Sequence, residues 1–290
     1  MGHVNTYELE AGPPPMHEEE CRAAAEAELA ELLASDPPEP EIQRLLERNP
    51  ALVPGAWTPG RPSGHPPLHD ALIVQPELPG LRSKFPDFMW IASHSGTWFP
   101  TLVEIERPGK QIFRSRGRLT SEFTEARNQL AQWRAWFDRP ENVQKFIVEY
   151  GVPDRMARWR SMRLHMILVF GRREEFSEDA ELSRQRSSLM PGADEELVSY
   201  DRLHFDEGLR DCISVRAKGD GAFEAVAIPR GFTLGPASAS RLRRIRGIRQ
   251  AIEASEIADD RREFLLRRVG YWREWAALPG MQAYTSGDFE

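Results

Sequence analysis

Three carboxylates in residues 85–108, FPDFMWIASHSGTWFPTLVEIERP, have the types and spacing to gather around a divalent cation. The segments FMWIA and FPTLVEI are rich in aromatic and β-branched residues, and SHSGTW between them supplies turn chemistry, so the stretch predicts a β-hairpin. A turn centred on Ser95-Gly96 sets Asp87 directly opposite Glu104. Opposed residues share a sheet face with Cβ atoms roughly 4.5–5.5 Å apart. Alternation along the strand puts Glu106 on the same face as Glu104. Carboxylates this close repel one another unless a cation sits among them or their pKa values rise. Hard cations such as Mg²⁺ prefer oxygen ligands of this kind. The same spacing also suits a solvated sheet face whose acids point into water.

The elements around the hairpin must position these acids. Residues 18–35 have strong helix propensity and end at a Pro-Pro pair, and PEIQRLLERNP reads as a short amphipathic helix with Ile42, Leu45 and Leu46 as its stripe. Residues 53–82 contain seven prolines and predict an extended, irregular connection. His65 and His69 have i,i+4 spacing, but Pro66 and Pro67 lie between them, so they read as surface residues. GKQIFRSRGRL is a basic loop. TSEFTEARNQLAQWRAWFDRP is a helix capped by Thr120 or Ser121, with Phe123, Ala126, Leu130, Trp133 and Phe137 as its buried stripe. Trp133, Trp136 and Phe137 read as core or interface, not as base-stacking platforms. RLHMILVFGRR reads as a buried strand, EEFSEDAELSRQRSSL as a helix and EELVSYDRL as a strand entering a turn. DCISVRAKGDGAFEAVAIP predicts a peripheral hairpin, and residues 238–277 two helical segments. Hairpin, helix, strand, helix, strand is the order of an α/β domain with a mixed sheet.

Composition narrows the function classes. With 290 residues, 40% of them hydrophobic and 29% charged, the chain suits one or two soluble domains. No apolar run approaches the ~18–20 residues that span a bilayer, and the N-terminus lacks the pattern of a signal peptide. Cys21 and Cys212 lie too far apart in sequence to suggest a disulfide framework or a cysteine zinc site, and the cytoplasm is the default location. The net charge of −7 is uneven: of 45 acids and 38 bases, 12 and 3 fall in the first fifty residues, leaving 33 and 35 in the body. The acidic excess therefore belongs to the N-terminal extension and does not argue against nucleic-acid binding by the rest. The arginines at 241, 243, 244, 246 and 249 suit helix solubility or partner contact. Phosphate-binding P-loops, nucleophile elbows and dinucleotide-binding glycine turns are all missing.

Pro86-Asp87 followed by Glu104-Ile105-Glu106 on the next strand resembles the PD-(D/E)xK nuclease superfamily. The wider pattern is more specific. NPALV at 49–53, VEIERP at 103–108, A-x-x-Q-L-x-x-W at 126–133, FGRR at 170–173 and VSYDRL at 198–203 occur in family order. Over roughly residues 41–210 the chain resembles the Shedu family of bacterial anti-phage defence proteins. The resemblance implies a restriction-endonuclease-like α/β fold, a mixed β-sheet flanked by helices, with helical N- and C-terminal extensions. The implied organisation is an acidic extension over 1–40, a nuclease domain over 41–215, and a hairpin with a helical tail over 216–290.

By the same resemblance, the function is metal-dependent cutting or nicking of DNA with Mg²⁺ or Mn²⁺, by a protein that forms homo-oligomers. Asp87 and Glu104 would be the main metal ligands and the backbone carbonyl of Ile105 a further one. Glu106 would be a third ligand or a water-positioning base. Gln129 would hold the acids or the DNA from the covering helix, and Glu47 would bring an extra acid. Lys84, Lys110, Arg114, Arg116 and Arg118 would contact the DNA backbone. The chain departs from the superfamily at one place: Glu106 stands where a lysine is usual. Lys84 and Lys110 are candidates to reach back with a lysine head group. The departure also leaves open a catalytically degenerate nuclease fold that binds DNA, senses or scaffolds without cutting.

Overall fold

A computed structural model describes residues 7–59, 65–80, 83–114, 117–177, 179–190, 192–278 and 288–290. Among these, one mixed sheet of nine strands organises the chain. The strands are β1 (Ala71–Val74), β2 (Phe88–Ser93), β3 (Thr97–Ile105), β4 (Ser161–Met162), β5 (His165–Val169), β6 (Glu195–Val198), β7 (Ile213–Ala217), β8 (Phe223–Ala227) and β9 (Ile245–Arg246). Their order is β6-β5-β3-β2-β1-β7-β8-β9, with β4 also on β3. β2 and β3 form the expected hairpin, in a register pairing Phe88 with Val103 and Ser93 with Trp98. β5 and β6 continue the sheet in parallel beyond β3.

Central strands buried on both faces need two apolar layers. On one face, Met89, Ile91, Leu102, Met166 and Leu168 meet Phe123, Ala126, Leu130 and Trp133 of α3 (Ser121–Phe137) in a core that continues to α9 (Asp259–Ala277). On the other, Phe88, Trp90, Val103, Ile105 and Val169 meet α1 (Glu18–Ala34) and α2 (Glu39–Arg48) through Leu29, Leu33, Ile42, Leu45 and Leu46. Parity along the strands then decides where the acids go. Asp87 shares parity with Met89, and Glu104 with Leu102, so both belong to the α3 side. Pro100 lies inside β3, beside a break in the ladder on one flank: β4 pairs with Thr97 and Trp98, and β5 resumes at Thr101. Proline has no N–H to donate, which suits it to a discontinuity of this kind.

Several expectations are corrected. The proline-rich connection contains a strand, β1, because Ala71-Leu-Ile-Val, though only four residues long, is fully buried between β2 and β7. The Gly-Asp-Gly hairpin is not an appendage, since β7 pairs in parallel with β1 and carries the sheet onward. His69 is not a surface residue. It is half-buried, takes φ 69°, packs against the Phe223 ring and makes a 2.9 Å hydrogen bond to the Tyr150 carbonyl oxygen, while burial pushes its pKa down to about 4. The helix expected from EEFSEDAELSRQRSSL is instead a 3₁₀ turn over Arg173–Phe176 and a short α6 (Ala180–Ser187). After α4 (Pro140–Glu149) and α5 (Asp154–Trp159), the C-terminal part holds α7 (Pro236–Leu242), β9, α8 (Ile248–Glu253) and α9. Three of the five arginines expected to serve solubility or partner contact make structural contacts instead: Arg241 is buried and ion-paired with Asp211, Arg243 donates to the Ala276 carbonyl, and Arg249 donates to that of Leu266.

Thr120 is the residue that caps α3. Its hydroxyl accepts from the Phe123 N–H at 3.2 Å and donates to the Gln111 carbonyl at 2.8 Å, tying the basic loop to the helix start. Ser121 instead bonds Arg114 and Glu122 in solvent. Thr120→Ala should therefore cost about 1 kcal/mol in urea unfolding. Ser121→Ala should cost less than about 0.5 kcal/mol. Equal losses would remove the capping assignment.

Candidate metal centre

The hairpin register that pairs Phe88 with Val103 sets Asp87 across from Glu104 at the far end of the ladder from the turn. Asp87 Oδ2 accepts the Ile105 N–H at 2.8 Å, which fixes the carboxylate on the strand end. Glu104 is 7% exposed, and its Oε2 is a buried oxygen with no hydrogen-bond partner. Burial is the largest cause of a raised pKa at both residues, taking Asp87 to about 7 and Glu104 well above its ordinary value. The neighbouring charges of Asp87 and Glu106 push Glu104 up further, and that of Glu39 adds to both residues.

A further acid, missed in the sequence, comes from α2. Glu39, in the first turn of that helix, raises the pKa of both Asp87 and Glu104 by its charge. Its own pKa is raised by burial and then by Glu106. Carboxylates are ordinarily favoured at a helix N-terminus, so lost solvation and like charge outweigh that effect here. The sequence clue was the acidic first turn of α2 behind Pro38. Glu47, eight residues on, lies elsewhere: it accepts a hydrogen bond from Gln43 and its charge neighbours are Arg216, Arg44 and Arg48.

Glu106 joins the cluster with a counter-ion. Lys110 Nζ pairs with Glu106 Oε2, and the Lys110 N–H closes a turn onto the Arg107 carbonyl at 3.0 Å. Pro108 and Gly109 occupy the middle of that turn, as turn chemistry favours, and so return a lysine to the end of β3. The strand end is held from below as well. The fully buried Tyr200 donates from its hydroxyl to the Glu106 carbonyl at 2.6 Å, and Glu175 accepts the N–H groups of Ile112 and Phe113 at 3.1 and 2.8 Å.

The other candidates are dispersed. Gln129 is half-buried on α3, and Lys84 pairs with Gln132 of that helix. Arg114 and Arg118 are exposed on the loop before α3, with Arg114 bonded to Ser121. Arg116 lies outside the described residues.

These groups suit a hard divalent ion that keeps much of its water. Among the described residues no three Asp, Glu, His or Cys side chains are placed to hold a metal ion together. Mg²⁺ does not ask for three, since it commonly binds through one or two carboxylates and completes its shell with water and phosphate. The unpartnered Glu104 oxygen beside Asp87 offers that donor set.

The family described as Shedu protein SduA, C-terminal, matches residues 36–204. The chain belongs to the Shedu family. Membership associates it with anti-phage defence. No individual curated protein matches it. Several of the Shedu motifs make contacts that hold the sheet and the strand end together. Val53 of NPALV accepts the Trp90 indole N–H at 3.3 Å, Arg172 of FGRR pairs with Asp201 of VSYDRL at 2.8 Å, and Tyr200 of the same run holds Glu106. No helix among the described residues is long and apolar enough to cross a membrane.

The raised pKa of Asp87 fixes the sign of a pH effect. An acid whose folded pKa is raised contributes stability that is complete below its unfolded value, about 4, and is lost as pH rises through the folded value. For Asp87 that loss is finished above about pH 7. In metal-free buffer, Asp87→Asn, which keeps an acceptor for the Ile105 N–H, should gain on the parent as pH rises from about 4 to about 7 and then hold a constant lead of up to about 4 kcal/mol. Thermal unfolding at successive pH values measures the lead, and one that does not change with pH would remove the ionised pair as its source.

Proposed function

We propose that this Shedu protein hydrolyses DNA phosphodiester bonds with Mg²⁺ or Mn²⁺ at the Asp87–Glu104 centre, as an effector of anti-phage defence. The observation that carries this reading is the desolvated carboxylate pair on adjacent central strands, with one buried oxygen unpartnered and two further acids beside it. Asp87, Glu104 and the Ile105 carbonyl would hold the ion. When bound, the ion would neutralise charge on the phosphate and lower the pKa of a coordinated water.

The chain's own groups would do the remaining work. Glu106 would orient the attacking water and accept its proton, held in place by Lys110 and by the Tyr200 bond to its backbone. Lys110 would also return to the strand end the positive charge that the residue at 106 does not carry. Glu39 would complete the acidic shell from α2. Lys84, Arg114, Arg116 and Arg118 would position the duplex through its phosphates without reading sequence. Assembly into homo-oligomers belongs to the same reading.

Cleavage of supercoiled plasmid and linear duplex, with Mg²⁺, Mn²⁺ or EDTA, tests it. Metal-dependent cutting should fall by at least about a thousandfold in Asp87→Ala, as for loss of a group that organises the transition state. Lys110→Ala should lose about tenfold to a hundredfold while still folding. Ion affinity should rise with pH through about 7, because protons leave Asp87 over that range. DNA binding without cutting under every metal would favour the degenerate fold, whose sequence basis is Glu106.

A further inference from the structure

A large open cavity among the described residues does not lie at the acids. It lies at the opposite end of the same strands, where the break beside Pro100 parts β4 from β5. Seven residue steps along β3 separate Thr97 from Glu104, about 23 Å of extended strand. The cavity holds about 850 Å³ and is lined by Phe99, Phe137, His165, Arg163, Asp138 and the Arg134–Asp194 ion pair, among others. Its volume falls within the usual range for small-molecule sites, roughly 300–1,000 Å³.

We propose that this cavity binds a nucleotide unit, an aromatic base with one phosphate, as a site separate from the acidic cluster. Phe99 and Phe137 are 8% and 6% exposed and offer apolar ring surface on its wall. His165 is 7% exposed, and its Nδ1 is buried with no partner. Directly across the β3–β5 ladder, Thr101 Oγ1 is likewise buried and unpartnered. Burial holds the His165 ring down near pKa 4, so a neutral ring rather than a cation lines the cavity wall.

The charges divide in the same sense. Arg134 is committed to Asp194 and Glu195. Arg163 is exposed and forms no ion pair among the described residues, and its backbone is held separately by an N–H bond to the Trp98 carbonyl at 3.0 Å. Its guanidinium is therefore the group available to a phosphate, while Asp138 on the rim can accept from an exocyclic amine. Exposed Trp159 and the arginines at 155, 158 and 160 flank this end of the sheet and raise the local concentration of an anionic ligand.

A free nucleotide and a base turned out of a DNA strand present the same chemistry, and the test separates them. Calorimetry with the four deoxynucleoside monophosphates, without metal, probes the first source. Fluorescence of 2-aminopurine in a short duplex probes the second. In at least one arm we expect binding, weakened about tenfold or more by Arg163→Ala and by His165→Phe, and unchanged by Asp87→Ala. Arg163 is exposed and its backbone bond survives truncation, so that variant keeps the test open should His165→Phe misfold. Absence of binding in both arms would overturn the proposal, as would binding that ignores Arg163→Ala or that vanishes in Asp87→Ala. Neither readout involves DNA cleavage, so failure of the nuclease reading would leave this result standing.

Discussion

A carboxylate buried against a second carboxylate is the constraint from which the rest of the structure follows. Glu104 lies on a central strand, under a helix, beside Asp87. Each ionised group loses water there, and the charge of Asp87 raises the pKa of Glu104 further. Such an arrangement persists only where the surrounding backbone leaves the side chains no other place to go. The Ile105 N–H fixes Asp87, the hairpin register fixes Glu104, and Tyr200 fixes the peptide of Glu106. The apolar layers on both faces of the sheet supply the rigidity that keeps these acids together.

Much of this was readable in the chain because the relevant interactions are local. A turn centred on Ser95-Gly96 determines every pair in the β2–β3 ladder, so the opposition of Asp87 and Glu104 follows from counting. The α3 stripe followed from helical periodicity, and all five of its residues are buried. What escaped was set by contacts distant in sequence. Helix α2 was placed correctly, yet its acid at the cluster is Glu39 rather than Glu47, about 12 Å away along the helix axis. Which end of α2 approaches the sheet depends on how the helix crosses it, and amphipathicity reports only which face is buried. β1 escaped for a related reason: four residues become a strand only because β2 and β7 supply partners on either side.

The lysine position shows how a local departure can be answered by a neighbouring element. A strand residue at 106 sends its side chain in a direction set by the pleat, and here that side chain is acidic. The turn through Pro108 and Gly109 reverses the chain and brings Lys110 onto the same carboxylate. The positive charge is then held by a loop, whose conformation rests on Glu175 and on the Thr120 cap of α3. A charge carried on a loop is easier to move than one carried on a strand, so the ionic balance of the acids is tied to the order of residues 107–120.

Strand β3 thus has two chemically different ends separated by Pro100. Beyond the proline, continuous pairing with β2 and β5 gives the stiffness that a cluster of like charges demands. At and before it, the parallel neighbours part and leave room between Phe99 and His165. An interrupted ladder at the acidic end would let the carboxylates separate and lower their pKa values toward those of solvated acids. A continuous ladder at the other end would leave His165 no space to face. The proline therefore keeps the two properties on one strand without either undoing the other.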